Sequence, residues 1–172
     1  MKLIIRQEET KDYEMVYHVI KTAFASAERS DGNEQDLVNA LRKSEAFIPE
    51  LSLVAESNGE IIGHILFTKA KVRESIQLAL APLSVLPDYQ KQGIGTALIK
   101  AGHKKAAELG YGYSIVLGSE KYYPKMGYLP AETYGITSPF DVPSENFMAY
   151  PLRKDIPNIS GVIQYAKEFG ID

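Results

Sequence analysis

Two glycines, Gly93 and Gly95, stand between a strand-like run and a helical pattern, and this arrangement restricts the fold more than any other feature. Residues 72–85 alternate like a long strand, and apolar residues recur at helical spacing over residues 94–109. A chain that passes from a strand through glycines into a helix gathers free backbone N–H groups at the positive end of that helix. The glycines let an anion approach the backbone without meeting a Cβ atom. With Lys91 adding positive charge, the segment is interpreted as a seat for phosphate.

Other structures also place two glycines before a helix, and most of them need residues that are missing here. An NTP-binding loop requires Gly-Lys-Ser/Thr at a fixed distance after its first glycine, and the sequence lacks that group. A dinucleotide fingerprint requires a third glycine, where this chain has Leu98. It also requires an acidic residue further on, where the chain has Gly112, Tyr113 and Ser114. A plain glycine-rich turn remains open on these residues alone.

The rest of the sequence predicts a single α/β domain. Its 172 residues are enough for one domain with a sizeable core. The predicted order is a strand, two helices, three strands, a helix, a strand, a short helical turn and further strands. Asn58-Gly59 indicates a hairpin, and hairpin-linked strands followed by a β-α-β unit indicate a mixed sheet. A final short helix is predicted after Ser160, with an apolar face of Val162, Ile163, Ala166 and Phe169.

Two motifs in order resemble those of the GNAT superfamily of N-acetyltransferases. The segment LAPLSVLPDYQKQGIGTALIKAG is similar to its acetyl-CoA-binding signature, with Gln90, Gly93 and Gly95 matching Arg/Gln-x-x-Gly-x-Gly/Ala. Residues 123–128, YPKMGY, resemble the downstream Tyr-x-Lys/Arg-x-Gly-Phe element. One helix and one strand separate the two, as in the family. Residues 80–95 are most similar to small bacterial predicted acetyltransferases.

The resemblance implies a fold and a reaction. The fold is the GNAT acyl-CoA N-acyltransferase fold, a central mixed β-sheet flanked by helices. Residues 1–152 are expected to form this domain, and residues 153–172 a C-terminal extension packed on it. The reaction is transfer of acetyl from acetyl-CoA to a primary amine of a small molecule, by direct attack in a ternary complex. A protein N-terminus or lysine as acceptor, or a non-catalytic acyl-CoA sensor, are the alternatives.

The resemblance also assigns residues to the co-substrate acetyl-CoA, and no metal is expected. Backbone N–H groups of residues 92–96 would hold the pyrophosphate, with the Gln90 side chain supporting the loop. The end of the preceding strand, splayed from residues 115–117, would align the pantetheine and polarise the thioester carbonyl. The residues expected to bind acetyl-CoA are Leu83, Ser84, Val85, Gln90, Lys91, Gln92, Gly93, Ile94, Gly95, Thr96, Ser119, Tyr122 and Lys125.

Two proton transfers need further residues. A departing CoA thiolate can take a proton from a phenol, and Tyr123 occupies the matching position. Tyr122 is next if the register shifts by one, and a packing role is the alternative. An alkyl amine with a pKa of about 10.4 must lose a proton before attack, normally to a carboxylate or a water held by one. Glu34 is the expected base, with Glu28 and Glu74 as alternatives, and a solvated surface carboxylate is the competing interpretation.

Some other residues differ from the family pattern or have no predicted catalytic role. Ser119 and Glu120 replace the Asn that many relatives carry after the fourth long strand, where it contacts the pantetheine arm. The histidines His18, His64 and His103 have no metal-like spacing and are interpreted as structural or surface residues.

Composition and net charge restrict the binding partners and the location that are expected for the protein. A net charge of -3 gives no electrostatic reason to expect nucleic acid or an anionic membrane. The absence of cysteine excludes disulfides and thiolate chemistry, and the early charge at Arg6 does not fit a signal peptide. A cytoplasmic protein is therefore predicted. Relatives suggest a homodimer through exposed edge strands.

Overall fold

One mixed sheet organises the chain, and three α-helices cover its two faces. The computed structural model describes residues 2–25 and 32–171, and all statements below concern those residues. The helices are α1 (Tyr13–Phe24), α2 (Glu34–Arg42) and α3 (Ile94–Glu108). The strands are β1 (Leu3–Gln7), β2 (Ser52–Ser57), β3 (Glu60–Val72), β4 (Ser75–Val85), β5 (Tyr113–Leu117), β6 (Leu129–Pro130), β7 (Ile136–Thr137), β8 (Phe147–Pro151) and β9 (Gly161–Gln164).

The first half of the sheet is antiparallel and is built from hairpins. Strands β1 to β4 lie side by side in sequence order. Asn58 and Gly59 join β2 to β3 with φ values of 52° and 78°. Two consecutive left-handed residues produce the tight hairpin turn whose twist matches the strands, so the predicted hairpin is confirmed.

A parallel pair joins this half to the second half, and that pair is short. Strand β4 pairs with β5 only through Leu78 with Ser114 and Ala79 with Ile115. The last residues of β4 continue past this ladder without pairing to β5. A β-bulge in β4, opposite residues 65–67 of β3, lies at the point where the two strands separate. The predicted mixed sheet is confirmed, and it contains a gap between β4 and β5.

The two faces of the sheet bury different helices. Val16, Val19 and Ile20 of α1 are fully buried with Val54 and Leu66 on one face, together with α2. On the other face, α3 packs against β3 and β4 through its own set of apolar residues, Ile94, Leu98, Ile99 and Ala106. Each helix therefore contributes one apolar stripe to a shared core.

The prediction for the last residues is wrong. Residues 161–164 form strand β9 instead of a helix, and only residues 167–169 make one 3-10 turn. Strand β9 pairs antiparallel with β3, through Val72 with Ile163, and parallel with β7. The exposed edge at the outer end of β3 offers hydrogen bonds to a strand, and this pairing overrides the helical spacing of the apolar residues. Residues 153–171 thus pack on the same sheet, while a domain boundary at 152 stays a prediction.

No helix within the described ranges is long and apolar enough to cross a membrane.

Candidate active site

The loop before α3 exposes a cluster of backbone N–H groups. Gly93 is the N-cap of α3 with φ of 85°, and Lys91 also has a left-handed φ of 63°. Because the helix begins at Ile94, its first N–H groups have no carbonyl partner one turn earlier. The first turn of α3 carries no acidic residue. The positive end of the helix dipole is therefore free to meet an anion.

A cleft of about 360 Å³ opens at this loop. It lies beside the last residues of β4, at the open end of the gap. The residues that line it are Leu83, Val85, Tyr89, Gln90, Lys91, Gly93, Ile94, Gly95, Thr96 and Tyr122. All but Tyr89 belong to the set expected from the sequence. Tyr89 was missed because it lies in a short 3-10 turn within the polar run, where no periodicity marks it.

Side-chain amides hold the loop against the strand. The Gln90 Nε2 atom donates a hydrogen bond to the Val85 carbonyl at 2.9 Å. The Gln92 Nε2 atom donates to the Asp88 carbonyl at 3.1 Å. These bonds fix the path from β4 to α3, which is the supporting role expected of Gln90. Gln92 points back into its own loop and does not line the cleft.

Tyr122 brings a hydroxyl group to the floor of the cleft. Its hydroxyl lies 3.3 Å from the Thr96 Oγ1 atom. A Cβ atom on Gly95 would come within 2.7 Å of that hydroxyl. Gly95 is helical, so the absence of a side chain there serves this close approach. Gly93 is different, because its positive φ is the constraint and a Cβ would meet nothing within 4 Å.

Tyr123 is buried beside the end of β5. Its side chain is only 9% exposed, and its ring makes edge contacts with Tyr122 and Tyr128 at 5.2 and 5.5 Å between centroids. A Cβ atom on Gly118, the residue after β5, would lie 2.4 Å from this ring. Burial raises the pKa of the Tyr123 phenol, and Tyr122 adds to the rise. The group therefore stays protonated near neutral pH.

Three further predicted contacts lie outside the cleft. Ser84 is 1% exposed, and its side chain points to the opposite face of the sheet from Leu83 and Val85. Ser119 supports the tyrosines, because its carbonyl accepts hydrogen bonds from the N–H groups of Tyr122 and Tyr123. Its hydroxyl accepts one from the Lys121 N–H. Lys125 is exposed on the 3-10 turn and does not line the cleft.

The carboxylates proposed as bases have different positions. Glu34 is the first residue of α2, half-buried, and outside the lining of the cleft. Glu74 lies in the turn before β4, on the order of 30 Å along that strand from the cleft. This distance removes Glu74 as a base. Glu28 lies outside the described residues.

The three histidines lie outside the lining of the cleft. His18 is exposed on α1. His103 stacks on Tyr150 at 4.4 Å between centroids, and its Nε2 atom lies 2.8 Å from the Tyr128 hydroxyl. Burial lowers the pKa of His103 to about 4. His64 is fully buried in β3, and within residues 2–25 and 32–171 no cluster of His, Cys, Asp and Glu is arranged to hold a metal ion.

Solved structures define the class of fold. The chain superimposes on a GNAT family acetyltransferase from Brucella melitensis, in complex with acetyl-CoA, with a TM-score of 0.81 and 29% sequence identity over 98% of both chains. It superimposes on the GNAT family N-acetyltransferase YhbS from Escherichia coli, in complex with CoA, with a TM-score of 0.87. That pair is 24% identical and covers 99% of this chain and 93% of YhbS. The predicted fold is therefore confirmed.

Sequence relatives define the family. The N-acetyltransferase YjhQ of Escherichia coli is 39% identical over 118 residues, which are 66% of this chain and 65% of YjhQ. YhbS of Escherichia coli is 28% identical over 171 residues, 97% of this chain and 98% of YhbS. The model of the acetyltransferase (GNAT) family matches residues 13–128. The chain belongs to this family of acyltransferases.

Proposed function

We propose that this protein transfers acetyl from acetyl-CoA to a primary amine of a small molecule, by direct attack in a ternary complex. One observation carries the proposal. The β4–β5 ladder ends at Ala79 and Ile115, and the cleft with its N–H cluster opens beside the unpaired end of β4. A linear ligand with a pyrophosphate at one end fits this geometry. The pyrophosphate would lie at the start of α3, and the pantetheine would take the place of a strand in the gap.

The unpaired end of β4 also offers backbone hydrogen-bonding groups to the ligand. Backbone groups that β5 leaves without partners can pair with the amides of the pantetheine arm, and one donor can polarise the thioester carbonyl. Leu83 and Val85 face the cleft and would flank the arm. The reaction then forms a C–N bond and breaks the C–S bond, and the thiolate receives a proton.

Tyr123 is the proton donor that we favour. Its ring lies over Gly118 at the end of β5, on the far side of the gap from the glycine loop. Tyr122 is the alternative phenol, but its hydroxyl lies at Thr96, where the pyrophosphate end of the ligand would bind. We propose Tyr122 as a ligand-binding residue for that reason. Glu34 stays the proposed base for the amine proton.

The first test measures acetyl-CoA binding by a pair of glycine variants. Gly93 and Gly59 share a left-handed φ, and a Cβ on either would meet nothing within 4 Å. Gly93→Ala and Gly59→Ala should therefore each lose about 1 kcal/mol of unfolding free energy. Only Gly93→Ala distorts the N–H cluster, and it should weaken acetyl-CoA binding roughly tenfold in titration calorimetry. Equal affinity in the two variants would contradict the assigned pyrophosphate site.

The second part of the test is turnover. Release of CoA thiol from acetyl-CoA is followed with a panel of small primary amines and with peptides that carry a free N-terminus or a lysine. Turnover with a small amine supports the proposal. Turnover with peptides alone would show that the acceptor is a protein and not a small molecule. Tight acetyl-CoA binding without any turnover supports a sensor.

A further inference from the structure

A polar pair without protein partners is buried directly behind the cleft. In the part of the chain that the structure describes, three buried side-chain atoms have no hydrogen-bond partner: His64 Nδ1, Thr68 Oγ1 and Ser84 Oγ. His64 and Ser84 are opposite each other in the β3–β4 register. Directly paired residues have Cβ atoms about 5 Å apart, so one small polar group can bridge the two side chains. Thr68 lies four residues further along β3, away from the cleft.

The surrounding hydrogen bonds fix the tautomer of His64. Ser52 Oγ lies 2.9 Å from Glu8 Oε1 and donates its only hydrogen to that carboxylate, which accepts but cannot donate. Glu8 forms an ion pair with Arg42, with Arg42 Nη2 2.6 Å from Glu8 Oε2. The 3.0 Å contact between Ser52 Oγ and His64 Nε2 must then take its hydrogen from His64. The proton of the imidazole is on Nε2, and Nδ1 presents a bare lone pair.

The pair lies on the face of the sheet opposite to the cleft. Leu83 and Val85 face the cleft on the α3 side, so Ser84 between them faces α1. Helix α1 packs against both β3 and β4. The gap between β4 and β5 begins six residues before the end of β4, so β5 does not pair with β4 beside Ser84. A nucleophile that approaches from the face opposite to CoA would meet Ser84 there.

The charge state restricts what the pair can bind. Burial, together with the positive charge of Arg42, lowers the pKa of His64 to about 3. Glu8, Arg42, Ser52 and Ser84 are the polar side chains around the ring that the contacts above identify. Because Arg42 and Glu8 form an ion pair beside the ring, burial is the main effect, and it disfavours an ammonium as well as an imidazolium. The lone pair of Nδ1 therefore suits an uncharged N–H donor.

We propose that His64 Nδ1 and Ser84 Oγ bind the nucleophilic nitrogen of the acceptor as an uncharged primary amine. This inference rests on the acetyltransferase function proposed above. One N–H of the amine donates to Nδ1 and the second to Ser84 Oγ, which leaves the nitrogen lone pair directed at the thioester carbonyl. As the C–N bond forms and the C–S bond breaks, one of these two N–H hydrogen bonds is released and its proton passes to the general base. The thiolate takes its proton from Tyr123.

Two substitutions of His64 separate this role from a structural one. Asparagine places a polar atom near the position of Nδ1, whereas glutamine places one near Nε2. His64→Gln keeps the contact with Ser52 and loses the proposed amine site, and His64→Asn does the reverse. Thermal unfolding and acetyl-CoA titration of both variants establish that they are folded and bind the donor.

The kinetic probes are hydroxylamine and N-methylhydroxylamine, which are both largely uncharged near neutral pH and differ by one N–H. The uncatalysed reaction with acetyl-CoA is subtracted. His64→Gln should raise KM for hydroxylamine roughly tenfold to a hundredfold, because a buried acceptor is lost, with acetyl-CoA affinity unchanged. His64→Asn should stay close to wild type. Ser84→Ala should reduce the preference for hydroxylamine over its N-methyl derivative.

Each result decides the proposal. An unchanged KM in His64→Gln, or a greater loss in His64→Asn than in His64→Gln, would show that the ring serves only the Ser52 and Glu8 network. An unchanged preference in Ser84→Ala would remove Ser84 from the pair. Wild type that binds acetyl-CoA and acetylates no amine at all contradicts the proposed function itself, and the amine site with it.

Discussion

Two adjacent tyrosines show how much depends on a single residue position. The 3-10 turn sends Tyr122 to Thr96 and the cleft, whereas Tyr123 turns inward against Gly118. The sequence motif selects Tyr123, and the structure gives each phenol a different environment. Adjacent residues of the same type are thus expected to have separate roles in donor binding and in protonation of the thiolate.

Phenylalanine substitutions test this division. Tyr123→Phe removes a buried proton donor and should lower kcat roughly a hundredfold or more, with little change in acetyl-CoA affinity. Tyr122→Phe removes the hydroxyl at Thr96 and should weaken acetyl-CoA binding with a smaller effect on kcat. Steady-state kinetics with the best amine of the panel, together with calorimetry, measure both quantities. The reverse result, with kcat lost only in Tyr122→Phe, would reassign the acid to Tyr122.

Among the elements, β9 pairs with the outer end of β3, away from the cleft. It pairs with β3 and with β7, and among the described residues β7 pairs with no other strand. Ile163 is 1% exposed in the core of this junction, whereas Val162 on the same strand is 47% exposed. Ile163 is therefore expected to stabilise the fold, and the adjacent Val162 offers a control position on the same strand.

Ile163→Ala should lower the free energy of unfolding by about 2–4 kcal/mol, because it removes buried methyl groups and leaves a cavity. Val162→Ala should change it by no more than about 0.5 kcal/mol. Urea unfolding followed by circular dichroism measures the two. Similar losses in both variants would mean that β9 does not contribute to the core as its burial indicates.

The same element shows the limit of prediction from sequence. The hairpin at Asn58-Gly59 and the strand–loop–helix before Gly95 were predictable because their signals are local. The spacing of Val162, Ile163 and Phe169 fits a helix, and only the free edge of β3, nearly ninety residues earlier, makes a strand the better structure. The side-chain pair of His64 and Ser84 was unpredictable for the same reason, because strand register brings them together.

For the whole molecule, two neutral histidines, one fully buried and one half-buried, make stability depend on pH. Burial holds the pKa of His64 at about 3 and of His103 at about 4, whereas an unfolded imidazole titrates near 6.5. Between these values the unfolded chain binds more protons than the folded one, so the free energy of unfolding falls as the pH falls from about 6.5 toward 4. The pKa of Asp12 is lowered by Arg6, and its effect appears only below its ordinary value of 3.8.

Urea unfolding at pH 7 and at pH 5 tests this dependence. Each histidine should contribute a loss of about 2 kcal/mol over this interval. His103→Phe keeps the stacking on Tyr150, and Tyr128 keeps its 2.7 Å hydrogen bond to Ser114. The variant should therefore show about half of the wild-type loss, whatever its stability at pH 7. An equal loss in both proteins would mean that His103 does not resist protonation in the folded state.

The gap between β4 and β5 gives the sheet a mechanical character. Among the described residues, its halves pair at two residue pairs of the β4–β5 ladder, and they diverge at the cleft. The two halves of the sheet are therefore expected to move relative to each other about the β4–β5 ladder, with the open side at the cleft. A ligand bound between the two halves would link them. Its binding free energy would depend on how easily the halves move apart. Substitutions in the paired residues of the β4–β5 ladder, which do not line the cleft, should consequently change the residence time of acetyl-CoA.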